Sequence, residues 1–246
     1  MRENTELLTR FQKVRILLRF LSYLFLTVLF LFLLILYLLY LSAQRKPEFY
    51  KDELATPLPM LQQRNEEMLK NVNRLHNGIQ SVLQKEKKTW KGTFTADEIN
   101  GYFAVEAVKS SANILPAEIK EPRLTISPLK CELACLVEQD GFGGVLHLVF
   151  NIQLPEPNRV MLRIRNAQIG SIPVSRNYII SLLQNSLKQK GMNVTVGNEA
   201  GDPTLSFPLE LNIGKKETLI IETLEIENGA ASLTGSVLVN ANKSRQ

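Results

Sequence analysis

Hydrophobic and polar positions change their spacing twice along this chain, and each change marks a new kind of structure. From Phe20 to Leu41 the run FLSYLFLTVLFLFLLILYLLYL carries no charge. About 22 residues at ~1.5 Å each make roughly 33 Å of helix, enough to cross a hydrocarbon core of about 30 Å. Ser22 and Thr27 are its only polar side chains besides the tyrosine hydroxyls, and both can bond back to their own helix. A helix that is apolar all round needs apolar cover all round, which a chain of 246 residues can hardly supply. The pattern therefore predicts a transmembrane helix over 20–41, behind a lead at 1–19.

Residues 42–59 mix charges with Pro47, Pro57 and Pro59, which predicts a short irregular linker. A helical period follows over 60–88. Leu61, Met68, Val72, Leu75, Ile79 and Val82 recur at steps of 7, 4, 3, 4 and 3, with Asn65 in the one polar slot of the seam. Two arrangements satisfy this stripe: a homodimeric coiled-coil stalk, or a long helix laid on its own domain. Gly78 inside the run, and Leu69 and Leu83 beside the seam, widen it toward the second.

Trp90 to Phe94 reads as a short extended piece. Thr95 followed three residues later by Glu98 is a capping box, with Phe94 placed as a hydrophobic staple. The helix it opens points Ile99, Tyr102, Phe103, Ala107 and Val108 inward and ends before Pro116. From Pro122 the period falls to two and the chain becomes sheet. If Glu138 faces Val145, then Val137, Cys135, Leu133 and Cys131 face Leu146, Leu148, Phe150 and Ile152 on a wholly apolar side. The other side pairs Glu132, Ala134, Leu136 and Glu138 with Asn151, Val149, His147 and Val145. A one-residue slip destroys that separation. A third strand, Val160 to Ile169, turns Val160, Leu162 and Ile164 one way and Arg163 and Arg165 the other, toward solvent.

Ser175 is placed to cap a helix over about 176–190, with the stripe Ile179, Leu182, Leu183 and Leu187 and with Gly191 just past its end. Met192 to Val196 is a short strand. Asn228-Gly229 is a strong two-residue hairpin signal. It pairs Glu227 with Ala230 and sets Ile226, Leu224 and Ile220 against Ala231, Leu233 and Val237, but it puts Glu222 on that same apolar face, opposite Gly235. The order of elements predicts an α+β chain: transmembrane helix, long linker helix, then an antiparallel sheet packed with two or more helices at 90–240, and a polar tail at 241–246.

Charge settles the orientation and removes some classes of function. Five Lys and Arg precede the span and three follow it closely, so the N-terminus is expected in the cytoplasm and the bulk of the chain outside it. The apolar run exceeds the core of a cleavable signal peptide, which predicts an uncleaved signal anchor. The formal charge of +5 owes +3 to the lead (five basic less two acidic residues), and no broad basic cluster follows, so nucleic acid is not an expected partner. Cys131 and Cys135 on one regular strand sit about 13 Å apart at ~3.3 Å per residue, beyond the roughly 7 Å reach of a disulfide, and read as small buried residues. His76 and His147 lie on different elements. His147 has no Asp, Cys or second His at ligand spacing and reads as a surface or groove residue. No nucleophile elbow, zinc-protease motif or phosphate loop occurs. No enzyme, metal or cofactor is expected.

Several pieces in this order resemble a known group. The anchor is followed by Phe94-Thr-Ala-Asp-Glu98-Ile-Asn100 at a helix start, Ile169-Gly170-Ser-Ile-Pro173-Val before a second helix, and Glu225-Ile-Glu-Asn-Gly229 with Leu233-Thr-Gly235 in a last hairpin. These are similar to the YpmS-like anchored bacterial envelope proteins and, more distantly, the LmeA- and YceB-like proteins. The resemblance implies a lipid-binding-like fold in which a long curved antiparallel sheet wraps helices, in an extracytoplasmic (periplasmic) domain on the bacterial inner membrane. It carries over no catalytic or ligand residue, because the matched positions are caps and turns; Val174-Ser175 stands where relatives are expected to have a further proline. Two functions are in view. One is a groove for a lipid or other apolar ligand, lined by Leu133, Cys135, Leu148, Phe150, Leu162, Ile164, Leu182, Leu183, Leu224 and Leu233. The other is an envelope assembly protein pairing as a homodimer or with a partner through 60–88.

Overall fold

A computed structural model describes residues 2–84, 89–109, 119–139, 142–209, 211–212 and 217–239, with side chains described from Phe20 onward. The chain divides into two compact units, Met1–Ala43 and Gln44–Gln246. The first is a continuous helix, α1 (Arg2–Ala43). Its stretch Phe20–Ala43 has a mean hydropathy of 2.9 and is long and apolar enough to cross a membrane. The hydroxyl of Thr27 donates to the Tyr23 carbonyl at 2.8 Å, so the one threonine in the run leaves no polar group facing outward.

The segment expected to be an irregular linker is ordered. It holds a two-turn helix, α2 (Glu48–Leu54), and the long helix α3 (Leu58–Leu83) begins one residue after Pro57. The prolines stand at helix starts, where a missing N–H costs nothing, and not as breakers. Residues 85–88 of the expected helix lie outside the described residues. The α3 stripe is spent on its own domain: Leu61 and Asn65 are buried, and Leu75, Ile79 and Val82 pack against Trp90, Leu219 and Ile221. Much of the seam is thus packed within the chain, while Val72 stays exposed.

Next come β1 (Trp90–Thr95) and α4 (Ala96–Lys109). The capping box forms as read, with Glu98 N–H donating to Thr95 Oγ1 at 3.1 Å and Thr95 N–H donating to Glu98 Oε2 at 2.8 Å. Gly101 lets α3 and α4 cross closely, since a Cβ there would sit 2.6 Å from Arg64 Cβ and from Asn65 N. Among the described side chains of α4, Ala96, Asn100, Gly101 and Val105 are buried, whereas Ile99, Tyr102 and Phe103 are only half-buried; the expected inward positions Ala107 and Val108 lie outside them.

The remaining strands are β2 (Ile119–Ser127), β3 (Lys130–Gln139), β4 (Phe142–Glu156), β5 (Arg159–Ile169), β6 (Ile172–Pro173), β7 (Thr195–Glu199), β8 (Asp202–Pro208), β9 (Leu211–Asn212), β10 (Glu217–Glu227) and β11 (Ala230–Val239), with α5 (Arg176–Gln189) between β6 and β7. They build two antiparallel sheets in place of one long curved sheet. One runs β2-β3-β4-β5-β8-β7 with β6 on β5, the other β1-β11-β10-β9. The second exists because β1 leaves its sequence neighbours and pairs with β11, Trp90 opposite Gly235 and Thr95 opposite Ala230. Among the clusters, Ala96, Ile126 and Cys131 meet Ile226 and Ala231 and so join residues of both sheets.

The first hairpin keeps the predicted faces but not the predicted register. Cys131 pairs with Phe150 and Leu133 with Leu148, a shift of two residues that closes on Gln139 opposite Phe142. A two-residue shift preserves a period-two pattern, so the faces alone could not choose between the registers. In β5 the register breaks between Val149 and Phe150, leaving Arg165 as the extra residue; Ile164 and Ala167 then both point into the core. The last hairpin pairs as read from Glu227 back to Thr223, then bulges. Glu222 is the extra residue: it is ejected to solvent, and Leu219 and Ile221 become the buried positions. The bulge removes the carboxylate that a regular strand would have buried.

Candidate functional site

The ten groove positions are divided among several places in the fold. Leu133, Leu148, Phe150 and Leu183 pack with Ala167 and Ile179 between the large sheet and α5. Phe150, Leu162, Ile164 and Leu183 belong to the adjoining cluster around Ile180, Val194 and Leu205. Leu233 packs in the small sheet under Trp90. Leu224 is half-buried, and Cys135 is buried with its thiol pushed up to about 12 by burial. Leu182 is 48% exposed and points away from the sheet, because Ile179, Ile180, Leu183 and Leu187 already fill the inward stripe of α5. The positions brought together form packed layers, and none of them lines the three clefts described next.

The clefts are mixed in character, and of the three the one at the start of α5 is the most polar. One of about 630 Å³ lies at the start of α5, lined by Arg165, Asn166, Ser175, Arg176, Asn177 and Asn198 among others. Ser175 Oγ caps the helix there, accepting from Tyr178 N–H at 3.4 Å. Beside it Asp202 binds both Arg163, at 2.9 Å, and Arg176, and the Arg163 hydrogen bond leads in holding its carboxyl below the ordinary range. A second cleft, about 480 Å³, is lined by Phe49, Asp52, Glu53, Asp97, Asn100 and Gly229 among others. A third, about 340 Å³, lies along α3 by Met60, Gln63 and Glu67.

The most structured polar assembly is on the outer face of the large sheet, beneath α2. Phe49, Tyr50 and Leu54 lie on Ala134, Leu136 and Val145, and Tyr50 is fully buried. Small side chains at 134 and 145 make room for the tyrosine ring. Its hydroxyl makes no hydrogen bond of normal geometry, with the Leu136 backbone close by; burial pushes its pKa up to about 12. Arg123 is also buried here. One of its terminal nitrogens donates to the Pro122 carbonyl at 2.8 Å, its Nε has no partner, and burial lowers its pKa. It reaches this place through a bulge in β2 between Lys120 and Arg123, where Glu121 adopts φ +50°.

His147 is buried on this same face, which corrects the expectation of a surface or groove residue: α2 covers it, and the Phe49 ring stands 5.7 Å from the imidazole. The Gln168 amide donates to Nδ1 at 2.9 Å, which leaves Nε2 to donate to Glu132 at 2.9 Å. Burial pushes the Glu132 carboxyl up, but the hydrogen bonds from Lys130 and His147 outweigh it and hold it below the ordinary range. The arrangement is an internal network in which both ring nitrogens of the histidine have partners. No group of three or more His, Cys, Asp or Glu placed to hold a metal ion occurs among the described residues.

Sequence reading missed Tyr50, Arg123, Asn100 and Asn158. The first carried a signal, the aromatic pair Phe49-Tyr50 with Leu54 one helical turn on, masked by the charges around it. The asparagines act on backbone. Asn100 Oδ1 accepts from Leu124 N–H at 2.7 Å while its Nδ2 donates to the Leu124 carbonyl at 2.9 Å, a pairing that no local pattern announces.

No family model matches the chain, and no curated protein matches it.

Proposed function

We propose that this is a single-pass signal-anchored protein of a bacterial inner membrane, with its N-terminus in the cytoplasm. Its extracytoplasmic domain, in this reading, is a non-enzymatic structural or assembly module. The observation that carries the reading is the disposition of apolar surface. The α1 stretch from Phe20 is exposed on every side, as a lipid-facing helix is, whereas the apolar faces of both sheets are filled by helices of the same chain. A lipid carrier, which the resemblance to lipid-binding-like envelope proteins implies, needs those faces to enclose a hollow. The residues that would line it are divided among packed clusters, and this favours assembly over carriage. Pairing through the 60–88 helix draws less support, because Leu61, Asn65, Leu75, Ile79 and Val82 of its seam are packed within the chain.

Native mass spectrometry of the full-length chain released from detergent separates the readings. A bare polypeptide mass, alone or as an integral multiple, is expected; a stoichiometric lipid-sized adduct that survives activation would establish the groove. Protease added to spheroplasts is expected to digest the C-terminal domain and to spare the lead.

A further inference from the structure

The residues that would form a flexible tether are bound to the domain they lead into. The apolar run ends at Leu41, and already at Gln44 the side-chain amide donates to the Gly143 carbonyl. Six residues later Tyr50 is fully buried. We propose that residues 44–54 are a releasable clamp that sets how far the folded domain reaches from its membrane anchor. The inference rests on the anchoring proposed above.

Three features make the clamp a unit of its own. Its apolar side chains Phe49, Tyr50 and Leu54 contact one cluster, with Ala134, Leu136 and Val145, and the four other core clusters take nothing from 44–54. It can therefore lift without opening them. Its helix has seven residues and no side-chain cap at Pro47, too short to persist in water once lifted. Its grip is incomplete, since the Tyr50 hydroxyl and Arg123 Nε are buried there without good partners. Release has a natural stop. The Arg64–Glu53 ion pair at 2.9 Å joins α2 to α3, but α3 itself is held by buried Leu61 and Asn65 and by the crossing at Gly101, so unzipping ends at Pro57.

Only Ser42 and Ala43 separate the end of the apolar run from Gln44, which is itself bound to the domain. Released, the eleven residues from Gln44 to Leu54 can span up to about 36–40 Å in all at ~3.3–3.6 Å each. The device would convert a domain held at its anchor into one that searches a shell of envelope, and would uncover the Ala134–Val145 face and the His147–Glu132 pair as it did so.

Hydrogen exchange on the full-length chain in detergent micelles tests the separable unit. Amides of 45–56 are expected to exchange at least tenfold faster than those of β3 and β4. Tyr50→Ala should abolish their remaining protection while β3 and β4 stay protected. Exchange of 45–56 only in step with β3 and β4 overturns the proposal. If Tyr50→Ala unfolds the domain, the milder Phe49→Ala decides: it must speed 45–56 alone, and equal acceleration of both regions overturns the clamp. For reach, a dye on Leu129→Cys, a position 83% exposed, is read by energy transfer to headgroup acceptors in phosphatidylglycerol–phosphatidylcholine vesicles. Tyr50→Ala should lower the transfer at least twofold, and an unchanged transfer overturns the proposed reach. A chain that never associates with the vesicles defeats the anchoring reading, while the exchange result still decides whether the clamp opens.

Discussion

Asn158 is where one residue does most to join the two sheets, and its replacement by alanine is the sharpest stability prediction the structure offers. The residue sits in the β4–β5 turn with φ +58°, a left-handed conformation that asparagine tolerates better than alanine. Its backbone N–H donates to the Ile221 carbonyl at 3.0 Å, and its carbonyl accepts from Leu209 N–H at 2.6 Å. Its side chain does the rest: Nδ2 donates to the Leu219 carbonyl at 2.9 Å and Oδ1 accepts from Ile221 N–H at 2.6 Å. The amide thus supplies β10 with the donor and acceptor that a neighbouring strand would have offered.

Asn158→Ala removes both side-chain bonds and leaves one carbonyl and one amide of β10 without partners, at residues only 5% and 3% exposed. At about 1–2 kcal/mol for each buried group so stranded, the loss is about 2–4 kcal/mol. The left-handed backbone adds about 1 kcal/mol for alanine. The expected total of about 3–5 kcal/mol is a large share of the ~5–15 kcal/mol that holds an ordinary domain together. Trp90, the single tryptophan, makes the assay direct: it is buried and its indole N–H donates to the Ser236 carbonyl at 3.1 Å in the sheet that Asn158 supports. Urea titration of the full-length protein in detergent, followed by its emission, should show the midpoint falling with the slope unchanged. Asn158→Asp, which keeps the acceptor for Ile221 but loses the donor to Leu219, should fall between wild type and alanine. An alanine variant within 1 kcal/mol of wild type would refute the account of the turn as a bridge between sheets.

The remaining predictions use the same fluorescence readout or simple chemistry. Gly101→Ala forces a methyl group against Arg64 Cβ and the α3 backbone, neither of which can swing aside, and should destabilise by about 1–3 kcal/mol. Gly78→Ala, at a helical site with nothing within 4 Å of the added Cβ, should instead stabilise by about 0.5–1 kcal/mol; equal effects at the two positions would contradict the helix crossing. The Glu132 carboxyl is depressed in the folded state, so its contribution is present above the unfolded value of about 4.3 and is lost as pH falls through the lower folded value. Glu132→Gln should therefore cost stability at pH 7 and nothing once the carboxyl is protonated in both states, and a pH-independent difference would count against this origin. Cys131 and Cys135 are both free and buried, with burial raising both thiols, so a disulfide-exchange reagent at pH 8 should find neither in the native protein and both in urea.

What could be read along the chain was whatever acts over a few residues. The apolar run at 20–41, the Thr95–Glu98 capping box, the Ser175 cap, Gly191 with φ +78° and the Asn228-Gly229 turn each depend on neighbours within one helical turn or one hairpin. The faces of the first hairpin were legible for the same reason. Its register was not, because period two is blind to a shift of two, and the deciding feature is how many residues the connection needs. In the structure the last described pair of that hairpin is Gln139 opposite Phe142, a register two residues away from the pairing of Glu138 with Val145. Regular pairing would put Glu222 on an apolar face, and the chain resolves the conflict by bulging; the conflict is visible in the sequence and its resolution is not.

The features that bear on function are nearly all of long range, and that explains why the proposed groove residues fall into separate packed clusters. A list of alternating apolar residues says which side of a strand is greasy, but not what lies against it. Here β1 crosses some 140 positions of sequence to pair with β11, α3 turns its seam onto that pair, and α5 closes over the other sheet. Each fills a face that, taken strand by strand, would look available for a ligand. The linker misled in the opposite direction. Charges at Glu48, Lys51, Asp52 and Glu53 surround Phe49, Tyr50 and Leu54, and in a two-turn helix that composition is what one buried edge and one wet edge require. Polarity averaged over the stretch suggested a tether, whereas polarity resolved around the helix axis describes a segment with somewhere to dock.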